Sequence, residues 1–119
     1  TMRSNAAAKG VVEIMLGKYD AAVASLAKAD ETSVNLFNKG LAQLLKKDFQ
    51  NASTSFNEAA SKNSKLAIAH YGAAIASARL NQESKVYEHL TKAVAGDAKL
   101  KDKAIKDFIS IKIALVAKK

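Results

Sequence analysis

Apolar residues recur at intervals of three and four along almost the whole chain, the period of helices that bury one face. The pattern breaks at Gly17-Lys18, Asp30 to Ser33, Lys47-Asp48, Asn63-Ser64, Asn81-Gln82 and Gly96-Asp97. Polar or conformationally free residues at these breaks suit turns. Seven helices are predicted, over 4–16, 19–29, 34–46, 49–62, 65–80, 83–95 and 98–117. Ser33, Asp48, Ser64 and Asp97 stand where a side-chain oxygen can accept from the first free amides of the next helix.

One set of positions repeats within this series: Gly10, Gly17, Tyr19, Ala22, Leu26 and Ala29; then Gly40, Phe49, Ala52, Phe56 and Ala59; then Ala74, Val86, Leu90 and Ala93. Aligning Ala29, Ala59 and Ala93 gives spacings of 30 and 34 residues. The second is the repeat length of tetratricopeptide (TPR) proteins, and the chain resembles that family from residue 4 to about 95. The resemblance implies an all-α, right-handed superhelical array of three TPR-like helix-turn-helix repeats, at about 4–30, 34–62 and 65–95. Residues 98–117 would form a C-terminal capping helix, and the whole a single domain. The first spacing lacks four residues, close to one helical turn. Removing one turn preserves the facing of the later helices, so a shortened second helix is expected.

The first helices of the pairs depart from the family pattern. Where the family places large apolar residues, this chain has Lys9 and Glu13, then Lys39 and Gln43. Its apolar residues lie instead at Ala7, Val11, Ile14 and Met15; at Phe37, Leu41, Leu44 and Leu45; and at Tyr71 and Ile75. The resemblance places such positions on a concave groove. An open row of this kind would be at or above what soluble monomers usually expose, so it calls for a cover.

Three covers are open. The helices can be rotated so that the row is core while Lys9, Glu13, Lys39 and Gln43 face water. A segment of another protein can lie in the groove. Self-association or adjoining repeats can bury it, supported by the terminal helix, whose Leu100, Ile105, Phe108, Ile111, Leu115 and neighbours spread round most of its circumference. The candidate partner-binding residues are Val11, Ile14, Phe37, Asn38, Leu41, Leu44, Tyr71, Ile75 and Arg79, with Lys46 and Asn81 also on the polar rim.

Composition removes several chemistries. Among 119 residues there is no cysteine and no proline, so disulfides and thiolate metal sites are excluded and long helices are favoured. No run approaches the roughly 20 apolar residues of a membrane-spanning helix, and the most apolar stretch, 108–117, contains Lys112. The net charge of +8 is concentrated beyond residue 98, where the excess is +5. With 17 lysines against two arginines and no aromatic-basic interleaving, nucleic acid is not an expected partner. The chain opens on Thr1-Met2-Arg3 directly against a repeat helix, which suggests a piece of a longer protein. Residues 37–45 are similar to TPR repeats of Bacteroidetes cell-envelope proteins, leaving the compartment open between periplasm or cell envelope and cytoplasm.

Catalytic groups do not assemble in the pattern. His70 occupies a family packing position and is expected to be structural, whereas His89, among Glu88 and Lys92, is expected on a solvated face. Their spacing matches no common zinc motif, and Gly10 and Gly17 belong to no phosphate loop. The family's carboxylate-clamp positions read Ala7, Val11, Asn38, Ile68 and Gly72, of which only Asn38 matches, so a clamp is excluded. The expectation is a non-catalytic protein–protein interaction scaffold without cofactor, binding a protein or peptide segment. The alternative is a structural spacer or assembly module within a larger envelope protein.

Overall fold

The computed structural model describes residues 2–103, 106 and 107, and among them every regular element is helical. The helices are α1 (Met2–Met15), α2 (Tyr19–Ala27), α3 (Ser33–Leu45), α4 (Phe49–Lys62), α5 (Ala67–Arg79) and α6 (Glu83–Gly96). Helical structure resumes at 100–103. Ile105, Phe108, Ile111 and Leu115 of the expected terminal helix lie outside the described residues.

Each helix packs on the next, and the first helices also touch one another, α1 on α3 and α3 on α5. The extents are 44 × 30 × 20 Å. The residues missing from the first repeat shorten its second helix as expected: α2 has nine residues, α4 and α6 fourteen each.

The three turns inside the helix pairs close by one device. Gly17, Lys47 and Asn81 adopt left-handed φ angles of 77°, 69° and 60°. The amide after each reaches back to a carbonyl five residues earlier: Lys18 to Glu13, Asp48 to Gln43 and Gln82 to Ser77, at 2.8, 2.8 and 2.9 Å. This is the Schellman closure, which satisfies carbonyls that a helix end otherwise leaves open.

The caps are less regular than the sequence suggests. Thr32, not Ser33, caps α3, its Oγ1 accepting from the Asn35 amide at 3.1 Å. Leu66, not Ser64, precedes α5, because Asn63 ties the turn through its side chain to the Lys65 amide and delays the helix. Asp48 holds the Asn51 side chain at 2.7 Å and makes no side-chain cap bond. Asp97 does accept an amide, from Lys99 at 3.0 Å.

Small residues set the helix spacing. Phe56 is fully buried between α3 and α5, where a Cβ on Gly40 would lie 2.9 Å from its ring and one on Gly72 2.7 Å. Ala52, Ala73 and Ala76 surround it, with the Phe37 ring tilted by 49° against it at 5.5 Å between ring centres. Leu36, Ala59, Ala60 and Ala69 form a second cluster, and Ala67, Tyr71, Ala93 and Leu100 a third. Gly10 stands against Leu26 as Gly40 stands against Phe56, both pairs sixteen residues apart in sequence.

Candidate functional site

The apolar row of the first helices divides into a closed half and an open half. Phe37 and Leu44 are half-buried and pack on the Phe56 cluster, and Ile75 packs on the Tyr71 cluster. Tyr71 is only 2% exposed and donates its hydroxyl to Asp107, so it is a core residue and not an accessible anchor. Residues of the succeeding helix cover it: Leu100 shares its cluster, and the Lys103 ammonium lies 5.4 Å from its ring centre. Burial and the hydrogen bond to Asp107 push the tyrosine pKa up.

The open half lies on α1 and α3. Val11 is 38% exposed, Leu45 44%, and Ile14, Asn38 and Leu41 are half-buried. Arg79 is exposed and holds its guanidinium 5.9 Å from the ring centre of Phe49. Lys46 forms an ion pair with Asp20, and Asn81 is exposed in its turn. Val12, Met15 and Leu16 are 52, 79 and 64% exposed, and the sequence pattern does not single them out as binding residues. Their signal is register: Val12 falls where α3 has Ala42 and α5 has Ala76, both fully buried, Ala76 in the cluster of Ala52 and Phe56 from the preceding helix pair.

Glu13 and Gln43 do not face water as the rotated-helix reading requires. Gln43 is buried and accepts from Ser55 Oγ at 2.6 Å, and half-buried Glu13 accepts from Ser25 Oγ at 2.5 Å. Both turn toward the second helix of their own pair because a serine hydroxyl there offsets their desolvation. Lys9 is exposed and Lys39 half-buried.

A second feature occupies the seam of α4, α5 and α6. A cleft of about 790 Å³ is lined by Asn57, Ser61, Ser64, Lys65, His70, Glu88, His89 and Lys92, with Ala60, Ala95 and Gly96. His89 is here buried, correcting the solvated position expected of it; it turns inward and stacks on His70 at 6.1 Å between ring centres. Burial is the main cause that lowers both histidine pKa values, and the Lys92 charge adds to it in each case. Among the described residues no group of three histidines, cysteines or carboxylates is placed to hold a metal ion. No described helix is long and apolar enough to cross a membrane.

Comparison with known proteins adds no identification: no family model matches the chain, and no curated protein does.

Proposed function

We propose that this chain is a TPR-like, non-catalytic scaffold that takes an apolar peptide or protein segment on the face built by α1 and α3. The observation that carries this reading is the continuation of the apolar row along two adjoining helices, with Val11 and Leu45 exposed and Ile14 and Leu41 half-buried. Accessible apolar side chains on a rigid helical frame favour helix-in-groove or extended-segment recognition, in which a few anchors carry most of the energy. Asn38, Lys46 and Arg79 supply polar groups for orientation. Tyr71 and Phe37 act as supports for the frame.

The experiment is selection of a displayed random-peptide library on the folded protein, followed by affinity measurement with Leu41→Glu. Loss of binding by tenfold or more with unchanged helicity supports the reading. Selected peptides that bind the variant as tightly as the parent remove it.

A second reading, a spacer within a larger envelope protein, draws on Val12, Met15 and Leu16. The residues equivalent to Val12 in α3 and α5, Ala42 and Ala76, are fully buried, Ala76 against Phe56 of the preceding pair, which supports reading this face of α1 as a repeat-stacking surface. Val12→Glu separates the two readings, because peptide capture at Leu41 does not require that surface.

A further inference from the structure

The cleft between α4, α5 and α6 shares no residue with the apolar face proposed above. Among the described residues, three buried side-chain atoms have no hydrogen-bond partner: His70 Nδ1, His89 Nδ1 and Ser77 Oγ. All three belong to α5 and α6, and both histidines line the cleft. Each histidine is more than nine-tenths buried, at 8 and 9% exposure. Both Nδ1 atoms are withdrawn from solvent, while the two stacked residues line the wall of the cleft. Elsewhere the helix seams match their polar groups, as Ser25 with Glu13 and Ser55 with Gln43.

The charges around the rings decide what ligand the cleft would take. Lys65 and Lys92 line the cleft, and Lys85 of α6 adds its field to His89. Glu88 opposes them and pairs with Lys92 at 3.4 Å. From α4 only uncharged residues line the cleft, Asn57, Ala60 and Ser61, and the turn before α5 adds Ser64. A cation would meet two ammonium groups and lack a third ligating side chain. An oxyanion meets ammonium groups, hydroxyls and imidazoles that become donors once protonated.

We propose that this cleft is a proton-linked binding site for a tetrahedral oxyanion of the phosphate type, with His70 and His89 as the proton-accepting pair and Lys65 and Lys92 as its charge partners. Burial and the Lys92 charge oppose protonation of both rings, whereas the Ser64 backbone favours it at His70 and the Glu88 carboxylate favours it at His89. Anion binding reverses that balance, so the occupied site takes up protons. Affinity therefore increases as pH falls through the histidine range, by up to about tenfold per pH unit for each proton taken up.

Sulfate is the informative probe, since its charge is constant where histidine titrates. Imidazole NMR signals of His70 and His89 are followed from pH 8 to 5, with millimolar sulfate or chloride at equal ionic strength. The expected result is an upward displacement of both titration midpoints by sulfate, on the order of one unit. In Lys65→Gln/Lys92→Gln, which alters two exposed residues, the displacement falls below half that of the parent. Midpoints unmoved by sulfate overturn the proposal, as does an equal displacement in parent and variant, the mark of a bulk salt effect. Glycerol 3-phosphate distinguishes the source: tighter binding than sulfate assigns a phosphomonoester, and sulfate-only binding assigns the free anion.

Discussion

Ser55 donates its hydroxyl to Gln43 across 2.6 Å in the seam between α3 and α4, and Ser25 makes the same bond to Glu13 thirty residues earlier. Both pairs are twelve residues apart and bridge the two helices of one repeat. The third repeat places Ser77 and His89 at the corresponding positions, and there Ser77 Oγ and His89 Nδ1 are left without a hydrogen-bond partner. The array thus carries a polar rung through its interior that is closed in two repeats and open in the third.

The closed rung at Gln43 has a measurable asymmetry. Gln43→Leu strands the Ser55 hydroxyl and is expected to cost about 1–3 kcal/mol in denaturant unfolding. Adding Ser55→Ala removes the stranded group and should recover most of that loss. A double variant no more stable than Gln43→Leu alone would show that the pair contributes nothing jointly.

The Phe56 junction predicts a larger effect. Phe56→Ala empties a site between two glycines and should cost about 3–5 kcal/mol. Gly72→Ala should also destabilise, because its Cβ would stand 2.7 Å from the ring. Neither side has room to give: Gly40 closes the opposite approach and the tilted Phe37 ring packs beside it.

Lys47 pays for its turn. Its φ of 69° is one that Gly17 adopts in the equivalent turn with no side-chain strain. Lys47→Gly is expected to raise stability by roughly 1 kcal/mol in the same assay. Gly17→Ala should lower it by a similar amount.

Acid acts on the fold in two separate windows. The lowered pKa values of His70 and His89 mean that the unfolded chain binds protons first as pH falls below about 6.5. Stability is therefore fully present above that value and declines below it. Asp107, depressed first by Lys103 and then by Tyr71, holds its contribution above the ordinary carboxylate range and loses it below about pH 3.8. Denaturant midpoints at pH 7.5, 5.5 and 4.5 should fall in that order. His89→Asn should flatten the first window.

What is legible in the sequence depends on whether a residue's partners are near it along the chain. The turns are readable because Gly17, Lys47 and Asn81 each end one apolar helical run and precede another, a local pattern. The shortened α2 is readable because a loss of four residues is close to one helical turn. Periodicity misplaces Tyr71 because its cover, Leu100 and Asp107, comes from a later helix, and the pattern within α5 does not reveal which face that helix occupies. Gln43 looks solvent-facing because polarity alone does not show that a serine twelve residues away satisfies it. His89 is hidden for a similar reason: its neighbours Glu88 and Lys92 point to a wet face, while the ring turns toward His70. The open α1 face is obscured at Val12 because its equivalents are alanines, whose burial gives little hydrophobic contrast.

The scaffold reading is tested most directly by mapping where a selected peptide binds, from amide chemical-shift changes on titration. The account predicts the largest changes at Val11, Ile14, Asn38 and Leu41, with small changes at Phe56 and none above background at His70 and His89. Changes centred elsewhere, with the α1 and α3 amides unmoved at saturation, would contradict it.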